Sequence, residues 1–153
     1  YDGFDNKITL ETVHRVAKEN SNIYFVFVNT KPFCENLPNI IHLGRIYDLN
    51  EKVKFINTCD AMIHARSMGE TFGLSIAEFS IKNKPIITCP CGDLEHIKIL
   101  GDKGLLYKSK DELINIFKNI RDIISSRDDW NAYKLYTPEN IMRIFKQLIF
   151  DRV

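Results

Sequence analysis

Residues 61–88 read AMIHARSMGETFGLSIAEFSIKNKPIIT, and three textures follow one another inside them. Ala61, Met62, Ile63, His64 and Ala65 make a short run with the length of a strand, and a polar stretch, 66–70, follows. Residues 72–82 are mostly apolar with helical spacing, and Asn83-Lys84-Pro85 then turns the chain into a second run, Ile86-Ile87-Thr88. Short apolar runs bounded by turn residues predict strands covered on both faces. Two such strands joined through a helix are the unit from which parallel sheets are built, because a parallel return needs a crossover.

The same alternation extends in both directions. Upstream, Ile8, Val13, Val16 and Ala17 predict a helix over 8–20, and Ile23-Tyr24-Phe25-Val26-Phe27-Val28 is a β-branched and aromatic strand run. Residues 29–38, with two prolines, read as loop; 40–43 is a strand ended by Gly44, and Asn50 caps a helix over 51–58. Downstream come a helix over 94–100, a strand over 105–107, a helix over 111–125 and two C-terminal helices split near Thr137-Pro138. The predicted class is α/β, a Rossmann-like parallel sheet with helices on both faces. One domain is expected over 1–153, with C-terminal helices over 129–153. The opening Tyr1-Asp2-Gly3-Phe4-Asp5 holds no strand, so the chain is expected to begin inside a domain, N-terminally truncated.

Composition narrows the function classes. A chain of 153 residues with 44% hydrophobic and 27% charged residues is long enough to bury one core and unlike disordered or collagenous sequences. Lys and Arg number 21 against 20 Asp and Glu, and no basic run is interleaved with aromatics, so no nucleic acid is expected as partner. No apolar run reaches the roughly 20 residues of a membrane span, and no signal segment opens the chain. Of Cys34, Cys59, Cys89 and Cys91 only the last two are close, in a Cys-Pro-Cys too tight for an unstrained disulfide and without a second pair at zinc spacing. The expectation is no metal, a reducing compartment and a cytoplasmic location.

Ligands of open parallel sheets lie beyond the carboxyl ends of the strands, which directs attention to the loops after Val28, Leu43, Ala65 and Thr88. The loop from Ala65 to Gly73 runs straight into a helix. A helix start offers unpaired N–H groups and a positive dipole end, and Gly69 and Gly73 would let a ligand approach the backbone; the combination suits a diphosphate or a sugar. Glu70 stands at the mouth of this cradle and Glu78 further along the helix, two acceptor-only groups able to hold two hydroxyl-bearing parts of one ligand. Alone, Glu70 reads first as a carboxylate that complements the dipole or pairs with Arg66. Glu78 lies in a helix apolar nearly all round (Phe72, Leu74, Ile76, Ala77, Phe79, Ile81), so a ligand or a specific partner is expected to satisfy it.

The order of motifs from Ile40 to Tyr107 resembles the donor-binding C-terminal domain of retaining glycosyltransferases with the two-domain GT-B fold, the glycosyl transferases group 1. Its pieces are Ile41-His42-Leu43-Gly44-Arg45, Cys59-Asp60-Ala61-Met62-Ile63, Glu70-Thr71-Phe72-Gly73-Leu74 with Glu78, Asn83-Lys84-Pro85-Ile86-Ile87-Thr88, Gly92-Asp93-Leu94-Glu95 and Gly104-Leu105-Leu106-Tyr107. The resemblance implies a hexosyltransferase-like donor domain that binds a nucleotide-diphosphate sugar and acts with retention, without metal or other cofactor. It implies Glu70 on the transferred sugar as the catalytic candidate. Thr71, Phe72, Gly73 and Leu74 would lie along the sugar and diphosphate, Glu78 on the ribose hydroxyls, and Gly44, Arg45 and Ile46 beside the base. Where the family usually has Pro-Ser, this chain has Ala65-Arg66; Arg66 either adds a cation near the phosphates or pairs with Glu70.

The Gly-rich loop and basic residues that clamp the diphosphate in such enzymes are expected to lie before the first residue here, with Lys7 a poor substitute by position. A separate N-terminal acceptor-binding domain is therefore the expected partner, and the isolated chain is expected to be inactive. Its uncovered apolar face makes a homo-oligomer conceivable. His14, His42, His64 and His96 read as structural residues. The alternative, from another class, is a stand-alone sugar-nucleotide-binding or interaction module without turnover; a nucleotide-sugar epimerase of similar fold is disfavoured by the Phe72-Gly73-Leu74 turn.

Overall fold

The computed structural model describes residues 4–34 and 37–150; Tyr1 to Gly3, read above as lying outside any strand, and the last three residues of the C-terminal helical stretch fall outside the described residues. The elements in order are α1 (Lys7–Glu19), β1 (Phe25–Val28), β2 (Ile40–Leu43), α2 (Leu49–Thr58), β3 (Met62–His64), α3 (Leu74–Ser80), β4 (Ile86–Thr88), α4 (Glu95–Leu100), a 3-10 turn (Gly101–Lys103), β5 (Gly104–Leu106), α5 (Lys110–Lys118), α6 (Ile120–Ser125) and α7 (Pro138–Ile149). All pairings are parallel, as the alternation predicts, in two ladders: β1–β2, with Phe25 opposite Ile40, and β3–β4–β5, with Ile86 between Met62 and Gly104.

β4 is the strand that shows both faces covered. Successive strand residues point to opposite sides, and Ile86 enters one core with Ile56 of α2, Ile76 and Phe79 of α3, Leu100 and Tyr133. Its neighbour Ile87 enters the other, with Val13, Val16 and Ala17 of α1, Phe25 and Phe27 of β1, and Leu113 and Phe117 of α5. Burying a side chain of this size stabilises by about 1.5–3 kcal/mol, so the two isoleucines alone tie both helix layers to the sheet. The chain entering α1 joins the ladders. The amides of Asp5 and Asn6 donate to the carbonyl of Ala65 just after β3 (3.1 and 2.9 Å), while the Phe4 ring packs edge-on against Phe27 of β1. Asn6 also caps α1, its Oδ1 accepting from the Thr9 amide at 3.1 Å.

Three local expectations are corrected. The cap of α2 is Asp48, whose carboxylate accepts from the Glu51 amide (3.0 Å), and not Asn50; the helix starts at Leu49 because an acidic side chain at the cap complements the dipole. The single helix over 111–125 breaks at Asn119, whose side-chain amide donates back to the Asn115 carbonyl (2.9 Å) and diverts the backbone there. Of the two helices expected over 129–153 the described residues form one, α7, capped by Thr137 with Pro138 in its first turn. Residues 128–137 are irregular because their short polar side chains bond nearby amides. Asp129 accepts from the Asn131 amide, and Asn131 from that of Tyr133. The segment is also pinned onto the end of α3, where Asn83 accepts from the Trp130 amide (2.7 Å) and buried Ser80 accepts from that of Ala132 (2.9 Å).

Candidate functional site

β3 and β4 run parallel and end side by side, with His64 opposite Thr88, so the loops that leave them meet. They meet through two glycines. Gly69 (φ +67°) and Gly92 (φ +62°) adopt the left-handed region, and Gly69 forms a parallel bridge with Asp93. The Asp93 amide donates to the Met68 carbonyl (2.8 Å), and the Glu70 amide to the Asp93 carbonyl (3.1 Å). A Cβ on Gly69 would stand 2.0 Å from the Asp93 carbonyl oxygen. Gly69 therefore serves this backbone-to-backbone contact, which corrects the expectation that it admits a ligand. Gly73, at φ +79°, turns the chain into α3, and a Cβ there would meet the Ile76 side chain of its own helix at 2.8 Å.

Glu70 is held by its backbone. Its amide bonds Asp93, and its carbonyl accepts from both the amide and Nδ1 of His96 (each 3.2 Å). The carboxylate, 23% exposed, accepts from Arg66 Nη1 at 2.9 Å and lies 3.7 Å from His64 Nε2. Of the two readings of Arg66, the structure displays the pairing with Glu70. His64 is 5% exposed. Burial, the neighbouring His96 and Arg66 push its pKa down, against the pull of Glu70, to about 4.

Beyond Glu70, Thr71 is exposed and the half-buried Phe72 packs edge-on against Tyr133 and Tyr136, its carbonyl accepting from the Tyr133 hydroxyl at 2.5 Å. α3 begins at Leu74, two residues later than expected, and has no side-chain cap, unlike α1, α2, α5 and α7. The first amides of a helix have no intrahelical acceptor, and here no capping side chain meets them. Leu74 itself is 75% exposed, and Ile81 is also exposed, so α3 is not buried all round as its composition suggests. Glu78 is accordingly half-exposed and meets Lys52 Nζ at 2.8 Å; the partner sought for this carboxylate is a lysine of α2. That ion pair brings the start of α2, and the loop feeding it, alongside α3. In that loop Gly44 and Arg45 are exposed, Ile46 is half-buried, and the Arg45 guanidinium lies over the Tyr47 ring at 5.0 Å.

The structure thus gathers Arg66, Glu70 and the 71–74 turn into one group and sets Glu78 one helix turn beyond, next to Lys52. Sequence reasoning missed Lys52, whose partner is 26 residues away with no local pattern to announce it. Among the histidines, His42 stacks on Phe27 and bonds Thr30, His64 bonds Thr88, and His96 is buried against Glu70. The four cysteines are free thiols, with burial pushing Cys89 up to about 12, and among the described residues no His, Cys, Asp and Glu side chains gather into a metal-holding cluster. Among the same residues no helix is long and apolar enough to cross a membrane.

Comparison with known proteins locates this arrangement. The family model described as glycosyl transferases group 1 matches residues 10–139. Among solved structures, Anabaena Alr3699/HepE in complex with UDP-glucose superposes with a TM-score of 0.59 at 18% identity, covering 92% of this chain and 46% of that one. The same protein in complex with UDP and glucose gives 0.61 at 18% identity, covering 95% and 40%. At this identity the likeness is one of fold, and the chain spans less than half the length of the structures it matches. Comparison with curated protein sequences returns no match.

Proposed function

Because the chain belongs to the glycosyl transferases group 1 family, we propose that it forms the donor half of a glycosyltransferase, binding a nucleotide-diphosphate sugar for transfer with retention of configuration. The observation that carries this reading is the pairing of two ion-paired carboxylates, Glu70–Arg66 and Glu78–Lys52, across an uncapped helix start. Each carboxylate is an acceptor with lone pairs to spare for hydroxyls, and each cation is a donor that a diphosphate can recruit. Glu70 takes the sugar and Glu78 the ribose, while Arg66 and the first amides of α3 face the charge that develops on the leaving diphosphate. The loop of Gly44, Arg45 and Ile46 borders the base. The reaction needs no metal in this scheme, the leaving charge being met by guanidinium and amides.

The acceptor is presented by a second domain. α7 suits a seat for it: Met142, Phe145, Leu148 and Ile149 are all exposed on one short helix, an apolar row of the kind that marks a contact surface. Occurrence as a binding module without turnover is distinguished by assaying sugar transfer or donor hydrolysis in the full-length protein.

The test is calorimetric titration of the full-length protein with uridine, guanosine and adenosine diphosphates and their glucose conjugates, repeated with Glu78→Ala. One nucleotide is expected to bind, with roughly tenfold or greater weakening in the variant, as for the loss of charged hydrogen bonds worth about 1.5–3 kcal/mol. Absence of binding to every nucleotide at millimolar concentration would overturn the reading.

A further inference from the structure

Behind Glu70 lies a chain of hydrogen bonds through three buried side chains, His96, Thr88 and His64. His96 Nδ1 is 3.2 Å from the Glu70 carbonyl oxygen, which only accepts, so Nδ1 carries the proton. In the neutral ring His96 Nε2 is then an acceptor, and it faces Thr88 Oγ1 at 3.4 Å. Thr88 Oγ1 has one proton and three possible acceptors in reach, His64 Nδ1 at 3.0 Å, His96 Nε2 and the Cys89 carbonyl at 3.5 Å. Given to His96 Nε2, that proton leaves a lone pair facing His64 Nδ1 at 3.0 Å, which then donates to it; given to His64 Nδ1 instead, it would leave the buried His96 Nε2 without the hydroxyl it faces. With Nδ1 protonated, Nε2 of neutral His64 is a bare lone pair. Among the described residues it is the buried side-chain nitrogen or oxygen left with no hydrogen-bond partner. Glu70 Oε1, another acceptor, lies 3.7 Å away.

Two acceptors side by side, one buried and one charged, are short of donors. An unmet lone pair in such a place is costly, and the charged partner across from it adds repulsion. A pair of neighbouring hydroxyls on a sugar ring supplies what is absent, one proton to each acceptor. Arg66 Nη1 holds Glu70 Oε1 at 2.9 Å on the same carboxylate.

We propose that His64 Nε2 and the Glu70 carboxylate together accept hydrogen bonds from two adjacent hydroxyls of the donor sugar, making His64 a specificity-determining residue. This rests on the donor-half reading above and adds the sugar chemistry: a pyranose with a free vicinal diol, against its deoxy analogues. A site whose buried acceptor is matched to a hydroxyl discriminates strongly against ligands lacking it, because the acceptor is then left unpaired.

The experiment titrates the full-length protein with UDP, GDP and ADP, their glucose conjugates, and the monodeoxy forms of whichever conjugate binds, for the native protein, His64→Phe and His64→Gln. Expected is a loss of roughly tenfold in His64→Phe that falls on the sugar conjugate and not on the bare diphosphate. One deoxy conjugate should bind native protein and His64→Phe alike, and His64→Gln, which keeps an acceptor, should recover part of the loss. In the imidazole nitrogen spectrum His64 Nε2 should be the unprotonated nitrogen and shift with the conjugate but not with the diphosphate. Equal weakening of diphosphate and conjugate, or no weakening of either, overturns the role of His64 and leaves the donor-half reading standing. Failure of every nucleotide to bind removes both.

Discussion

Replacing Gly69 by alanine is expected to lower the melting temperature by roughly 10 °C, for a loss of about 3 kcal/mol or more. Two effects add. Gly69 sits at φ +67°, where a side chain costs on the order of 1–2 kcal/mol. Its Cβ would also overlap the Asp93 carbonyl oxygen at 2.0 Å, the Cys91 carbonyl oxygen at 2.5 Å and the Asp93 amide at 2.6 Å, all main-chain atoms that cannot swing aside. Gly92→Ala should behave alike, because its Cβ would fall 2.1 Å from the Met68 carbonyl. The control is built into the molecule. Gly101, at φ +54° with open space around it, should lose only the conformational part, and Gly44, with nothing within 4 Å, should change little. Thermal unfolding of the four variants measures this; Gly69→Ala unfolding at the temperature of Gly44→Ala would refute the account. Since the same contact fixes the amide of Glu70, nucleotide-sugar binding should fall in Gly69→Ala even below its melting point.

What the sequence made legible, and what it hid, divides along the range of the interactions. β4 could be read from Ile86-Ile87-Thr88 because a strand buried on both faces needs a run of apolar residues, and that requirement is local. Thr137-Pro138 likewise announced the start of α7, a cap and a first-turn proline being local chemistry. The start of α3 was misjudged by two residues because Phe72 belongs to a packing pair with Tyr133, 61 residues on, which holds its carbonyl outside the helix. The ring of contacts around Ser80 and Asn83 that keeps 128–137 from coiling was invisible for the same reason. At the site, Arg66 and Glu70 are four residues apart and their pairing was one of two readings open from the start, whereas Lys52 reaches Glu78 only because α2 packs beside α3. For Gly69 the expected neighbour was a ligand, and the space a Cβ would take is filled by another loop. A left-handed turn looks the same in sequence whether a ligand or another loop fills the space it leaves, and here Asp93 fills it.

Acidification is the second large effect, and it originates at His64. In the unfolded chain this imidazole takes a proton near its ordinary pKa of about 6.5, but in the fold burial, His96 and Arg66 hold it down to about 4, with Glu70 pulling the other way. The unfolded state therefore binds the proton first. The contribution of a neutral His64 is complete above about pH 6.5, drains as the pH falls from there toward 4, and levels off below. At ~1.4 kcal/mol for each unit, the span amounts to about 3 kcal/mol. Denaturant unfolding between pH 7.5 and 4 should show this decline, and His64→Phe should flatten it; a native profile as flat as that of the variant would refute the assignment. Asp129, held to about 2 first by its bond to Lys103, titrates in a lower window and does not blur the result, its contribution being present above the ordinary carboxylate range and lost only as the pH falls toward 2. The same proton bears on ligand binding. Nε2 can hold either a proton from solvent or one offered by a sugar hydroxyl, so the extra affinity of the conjugate over the bare diphosphate should fade as the pH approaches the folded pKa. Affinity for the diphosphate, which does not touch Nε2, should follow a different profile, and the two curves together separate a lone pair that reads the sugar from one that is merely buried.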